Sequence, residues 1–261
     1  MKYLVVPAVV FGLLNLGTAQ ADLSEKIDDQ INTLAEQVVA WRRDIHEHPE
    51  LSNREFRTSK LVAEHLTALG MDVQTDVAHT GVVGILKGGR SGGVVALRAD
   101  MDGLPVVEKT GLPYASKAVS EYEGNTVGVM HAWGHDNHVA ILRAAAGVLA
   151  SVREEIPGTI KFVFQPAEEG APKGEEGGAS LMIAEGVLQE PAPSAIFGLH
   201  IGQHGLAGTA NYRPNGFLAS AQRFDIEVKG VQTHGARPWA GVDPVVVAAQ
   251  IINSLQPIVS R

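Results

Sequence analysis

A chain of 261 residues, 45% of them hydrophobic, can bury a core of domain size, which excludes intrinsic disorder. Its net charge of −8 comes with no basic stripe, which excludes the clustered Lys and Arg by which nucleic-acid binders meet phosphates. Cysteine is absent, so disulfides contribute nothing, and stability must come from packing and from any bound metal.

In chain order, the first feature is a secretory leader: Lys2, an apolar run from Tyr3 to Leu16, and the exit Ala19-Gln20-Ala21, with cleavage expected after Ala21. The run is short against the ~20 residues that a bilayer span needs. Next, Ile27, Ile31, Leu34, Val38, Trp41 and Ile45 recur at steps of four and three, one face of a long helix that Pro49 stops. A second helix is expected from Thr58 to Leu69, with Gly70 as its left-handed cap. Strands follow at Asp72 to Thr75, Val82 to Leu86, and Val94 to Ala99; the last is nearly all apolar, as a strand covered on both faces is. Then come a helix (Asn137 to Ala150), a strand (Thr159 to Phe164), a helix (Ala179 to Glu185) and a strand (Ala195 to Leu199). This alternation predicts the α/β class, a mixed sheet flanked by helices, with the active site beyond the carboxyl ends of the strands. From about Tyr212 the character changes. Arg223 to Val228 alternates in a period of two, which predicts a strand, and Asp243-Pro244 opens a helix. A strand and a helix cannot bury both their faces alone, so this second domain is expected to be unfinished at Arg261.

The densest chemistry lies in His131-Ala132-Trp133-Gly134-His135-Asp136-Asn137-His138, where three imidazoles and a carboxylate fall within eight residues. Imidazole and carboxylate are the usual ligands of a divalent metal of borderline softness. Asp100 and Asp102 lie past one expected strand, Glu168 and Glu169 past the next, and His200 past a third, so distant residues are expected to converge on one cleft. His131, Asp136 and His138 are expected to support the ligands rather than to bind. Adjacent glutamates divide the labour: one holds metal and the other takes a proton from the activated water. Glu175-Glu176 lacks that strand setting and reads as a solvated pair. His46 and His48, at the end of the first helix, read as partners of its dipole. Trp133 is discordant, because indole has a donor N–H and no usable lone pair for a metal.

Taken together, Trp41 to Glu50, Arg98-Ala99-Asp100-Met101-Asp102-Gly103-Leu104-Pro105, the His131 to His138 run, Pro166-Ala167-Glu168-Glu169-Gly170, Gly198-Leu199-His200 and His234-Gly235-Ala236-Arg237-Pro238-Trp239 resemble one family. They are similar to the amidohydrolases of the hippurate hydrolase, aminoacylase and indole-acetyl-amino-acid hydrolase type, a branch of the dinuclear zinc peptidase clan. The resemblance implies metal ligands at His135, Glu169 and His200, a general base at Glu168, and a catalytic aspartate near the metals at Asp102. It places His234 in a lid domain, where the family's histidine reaches substrate, in some relatives across a dimer. It also marks two departures. Trp133 stands where the family has a cysteine that bridges two metals, and the family's final ligand histidine would fall beyond Arg261.

The implied organisation is a leader over 1–21, a zinc-peptidase-like catalytic metal-binding domain over 22–211 without its C-terminal part, and the start of a smaller α+β lid or dimerisation domain over 212–261. The implied cofactor is one or two divalent ions (zinc, manganese, cobalt or nickel). The expected partners are a small N-acyl amino acid or peptide and a second copy through the lid, with no nucleic acid. The expected reaction is hydrolysis of the amide in an N-acyl amino acid or similar small conjugate, in the periplasm or outside the cell. Two alternatives stand beside it: a truncated or degenerate relative without catalysis, and a secreted metallopeptidase acting on small peptides.

Overall fold

A computed structural model describes residues 11–202, 205–216 and 224–259. It divides into two compact units, 1–203 and 204–261, a division ahead of the change of character at Tyr212. The expected leader falls partly on residues 1–10, outside the described residues; the backbone from Phe11 onward is helical and continuous with the first helix.

The first unit is built on a five-stranded mixed sheet. Its elements are α1 (Phe11–Glu47), α2 (Phe56–Ala68), β1 (Asp72–Val77), β2 (Gly81–Lys87), β3 (Arg90–Asp100), β4 (Val119–Tyr122), β5 (Asn125–Gly128), α3 (His135–Ser151), β6 (Pro157–Gln165), α4 (Gly178–Ala184) and β7 (Ala195–Gly198). The strands lie in the order β1-β2-β6-β3-β7. The β1–β2 and β2–β6 pairs are antiparallel, whereas β3 runs parallel to both β6 and β7. Each predicted strand of this unit is present, most of them a residue or more longer than their apolar runs.

Side-chain periodicity explains the layers. In α2, Thr58, Val62 and Leu66 recur every fourth residue and are buried, while Glu50 accepts the amides of Arg57 and Thr58 at 2.8 Å and closes the first turn. Gly70, at φ +70°, carries the left-handed cap that ends this segment. One core joins Ile45 of α1, Val62 and Leu66 of α2, and Val139, Leu142 and Ala146 of α3 to Phe162 and Phe164 of β6. A smaller cluster on the other face packs Met182 of α4 against Val83 and Val163. Covered on both sides, β6 is buried from Ile160 to Gln165. Even Lys161 is buried there, with its Nζ donating to the carbonyls of Val187 and Gln189 at 2.8 Å each.

Sequence patterning misses the β4–β5 hairpin. Its two-residue turn has positive φ at Glu123 (49°) and Gly124 (76°), the geometry usually announced by Asn-Gly or Asp-Gly.

The second unit contains α5 (Pro244–Val259), whose first turn is closed by Asp243 Oδ1 accepting the Val245 amide at 2.9 Å. The strand expected at Arg223 to Val228 does not form over its described residues, 224–228; Arg223 itself lies outside them. Alternation supplies a face but not a ladder, and among the described residues of this unit the sole pairing is the Val231–Val242 bridge.

Candidate metal centre

The parallel arrangement brings the carboxyl ends of β3, β6 and β7 to one edge of the sheet, with Asp100 opposite Gln165 and Arg98 opposite Gly198. Beyond these ends lie Asp102, the Glu168–Glu169 pair and His200, and the first residue of α3, His135, faces them. Gly134 makes that entry sharp. It sits at φ +86°, and a Cβ there would come within 2.2 Å of Ile201 Cδ1.

His135 is buried, and neither ring nitrogen has a hydrogen-bond partner among the described residues. Its Nε2 is 3.8 Å from Glu168 Oε2 and 3.8 Å from Glu169 Oε1. Its Nδ1 lies 3.3 Å from Asp102 Oδ1 and 3.7 Å from Asp100 Oδ1. Burial alone would lower its pKa, but the Asp102 carboxylate and the charges of Asp100 and Glu168 outweigh burial and push it up to about 9. Burial, with the neighbouring Glu168, Asp102 and Asp100 carboxylates, raises Glu169 despite the opposing pull of His135. Four carboxylates around one imidazole make a site that seeks a cation.

One atom each from His135, Glu168 and Glu169 lies within 4.8 Å of the others, the spacing of a metal-ligating set. A carboxylate on Nδ1 of a histidine whose Nε2 faces a cation is the usual way of orienting such a ligand. These donors therefore fit a divalent ion. Asp102 is buried and fully engaged: its Oδ1 accepts the Glu168 amide at 3.0 Å, and its Oδ2 accepts the Glu169 amide at 3.0 Å and the Ser52 hydroxyl at 2.7 Å.

A second group, Asp100, His135 and His138, also has ligand spacing. Both nitrogens of His138 are already used, however. Nδ1 donates to Asp100 Oδ1 at 2.6 Å and Nε2 accepts the Ile201 amide at 3.0 Å, so no lone pair is left for a metal. Burial opposes ionisation of Asp100, but His138, His135 and Arg98 hold its pKa down at about 2. His138 thereby anchors the segment after β7, next to His200.

His200 is exposed, its Nδ1 donates to the Ile201 carbonyl at 2.6 Å, and its ring centre is 6.1 Å from that of His135. His131 is buried with neither nitrogen hydrogen-bonded among the described residues. Asp136 turns towards α1, where it meets His46 Nδ1 at 2.8 Å and Arg42 Nε at 2.7 Å. Trp133 is 55% exposed. His234, in the other unit, is exposed and accepts the Ala236 amide on its Nδ1 at 3.1 Å.

Two side chains do more than the sequence suggests. His46, in the last turn of α1, is also buried, with Asp136 on one ring nitrogen and Glu108 at 3.2 Å on the other, and the Asp136 bond above all raises its pKa. Glu175 is no merely solvated acid, because Arg54 holds it at 2.6 Å and Asn53 at 3.0 Å. Sequence reasoning also missed the buried Glu55, which reads as an ordinary acid at a helix start.

The model of peptidase family M20/M25/M40 matches residues 96–256. Thermostable carboxypeptidase 1 of Saccharolobus solfataricus is 42% identical over 241 residues, covering 92% of this chain and 58% of its own length. Hippurate hydrolase of Campylobacter jejuni is 41% identical over 220 residues, covering 84% of this chain and 54% of its own. Among solved structures, the Bacillus subtilis YXEP protein, a dinuclear metal binding peptidase from the M20 family, is similar at a TM-score of 0.56 and 40% identity, over 65% of this chain and 43% of that one. The chain thus spans little more than half the length of these curated relatives.

Proposed function

The chain belongs to peptidase family M20/M25/M40, and on that premise we propose that it serves a metal-dependent amidohydrolase cleaving the amide bond of N-acyl amino acids or similar small conjugates. The observation that carries this reading is the buried His135 Nε2, without a hydrogen-bond partner among the described residues and equidistant, at 3.8 Å, from Glu168 and Glu169. His135 and Glu169 would hold the ion, and His200, outside the ligand-spaced set with its ring centre 6.1 Å from that of His135, would close in as the third ligand. Zinc, manganese, cobalt and nickel all suit imidazole and carboxylate donors. When bound, such an ion polarises the scissile carbonyl and lowers the pKa of a water towards neutrality.

The chain's own residues do the rest. Glu168, partly exposed beside His135, takes the proton of the attacking water and passes it to the leaving amine. Asp102 orients His135 and holds the glutamate pair. A cleft of about 600 Å³ adjoins Glu169, with Leu104, Pro105 and Tyr122 on its walls beside the charged Arg54, Glu121 and Lys173, and would take a small conjugate that carries both apolar and polar groups. His234 would reach the substrate from the lid domain, 212–261, which would also mediate a homodimer. The leader, 1–21, would direct the protein to the periplasm or outside the cell.

Trp133 favours a second reading, a relative that keeps the fold and turns nothing over. Without a thiolate at this position a second ion would lack the ligand that the family resemblance implies, so the amidohydrolase reading favours one firmly held ion. The peptidase alternative shares this chemistry and differs in the pocket. The test is Glu168→Gln, with zinc content and hydrolysis of N-acyl amino acids measured together. Zinc should stay bound while turnover falls by about 10²-fold or more, the usual contribution of a general base. Unchanged turnover would remove Glu168 from the role, and a wild type that binds zinc without turnover would favour the second reading.

A further inference from the structure

The turn that carries Glu168 and Glu169 is held from below by two buried carboxylates. Glu55 Oε1 accepts the amide of Ala167 at 2.9 Å. Asp102 accepts the next two amides, of Glu168 and Glu169, at 3.0 Å each. Three successive N–H groups are thus bound by acids from two other parts of the chain. The backbone needs this grip, since Ala167 lies at φ 48°, a left-handed conformation that costs a residue with a side chain about 1 kcal/mol or more.

Glu55 is completely buried, and its other oxygen accepts the hydroxyl of Thr80, itself buried between β1 and β2. Burial pushes its carboxyl up to about 7 against the Thr80 and Ala167 hydrogen bonds; protonated or not, it keeps an oxygen for the Ala167 amide. Ser52, three residues earlier, bonds Asp102. The same segment is tied to the end of β3 where the Gly103 amide donates to the Glu50 carbonyl at 2.7 Å. One short connection between α1 and α2 therefore reaches both carboxylates. On the far side Gly178, at φ +66°, lets α4 approach, since a Cβ there would meet the Ala167 carbonyl at 2.7 Å.

We infer that Glu55 is a positioning residue: its buried carboxylate, acting with Asp102, fixes the Ala167–Glu169 turn so that both glutamates face His135. It touches neither substrate nor metal and acts through the backbone of the turn. The inference rests on the reading of Glu168 as base and Glu169 as ligand, and its test separates the two.

The experiment compares Glu55→Leu, Glu55→Asp and Glu55→Gln in the full chain by zinc affinity, in competition with a chromophoric chelator, and by amide exchange in the segment 165–170. Glutamine keeps an oxygen at the same reach and should stay within about threefold of wild type on both readouts. Leucine has no acceptor and aspartate is a methylene short. Both should weaken zinc by about tenfold or more, the range for groups that orient a ligand, and should speed exchange at 167–169 above the rest of the fold. Aspartate decides the matter if leucine fails to fold. Wild-type affinity and exchange in the aspartate variant would overturn the inference, as would protection lost evenly across the sheet. If the wild type takes up no zinc, the metal reading falls, while the exchange measurement still decides the role of Glu55.

Discussion

His131 shows what burial does to a single titratable group. Enclosed by the protein, it has both ring nitrogens without hydrogen bonds among the described residues, and burial lowers its pKa from 6.5 to about 4 against the attraction of Asp136. A lowered histidine favours the folded state when neutral, so its full contribution is present above pH 6.5. That contribution is lost as the pH falls towards 4, because the unfolded chain takes up the proton first. The shift corresponds to about 3 kcal/mol at the acid end. Urea unfolding of metal-free protein at pH 7 and pH 4.5 should show this loss, and His131→Leu should flatten it. Equal slopes in both proteins would mean that His131 titrates normally.

The same scale shows what can be read without coordinates. His135 and the glutamate pair were legible as candidates because three imidazoles crowd one short run and the two acids follow an apolar strand. His46 and Glu55 were not. Each looks like a helix-end residue, and only the packing of α1 against the loop holding Glu108, or of the Glu55 segment beneath β6, turns it inward. No local pattern announces such a partner, since the contacts span 62 and 112 residues.

At the level of elements, α3 is the lever of the site. Its first residue is a candidate ligand, its fourth is the histidine that fastens the chain after β7, and its entry depends on Gly134. Gly134→Ala should cost about 1–3 kcal/mol, from the left-handed backbone and from the Cβ forced against Ile201. It should also loosen the Ile201 amide from His138, visible as faster exchange at residue 201. A thermal midpoint equal to wild type would show that the turn relaxes freely. Strands were more legible than turns for a physical reason. Their apolar runs reflect burial, whereas the β4–β5 hairpin is partly exposed and turns at Glu123-Gly124, and the strand expected at Arg223 to Val228 has alternation but no ladder among its described residues.

Across the molecule, the two sheet edges differ. β1 begins in exposed charge, with Lys87 of its neighbour holding Asp72 at 2.7 Å. Among the described residues β7 pairs on one side alone, and Ile196 is 50% and Phe197 60% exposed. An apolar open edge invites pairing with another strand. The 261-residue chain should therefore self-associate with rising concentration, and Phe197→Lys should shift it towards monomer in sedimentation velocity. Identical sedimentation would locate any association elsewhere, such as the second unit.

The placement of β6 between β2 and β3 has a further bearing, on the order in which the molecule can be made. A ribosome delivers β2 and β3 one after the other, yet they are not neighbours, and each must wait with a bare flank until residues 157–165 emerge. Long-range pairing of this kind is slow and leaves nascent chains vulnerable to aggregation. The turn after β6 carries Glu168 and Glu169, so the half-made protein has neither a joined sheet nor the acids of the candidate metal centre.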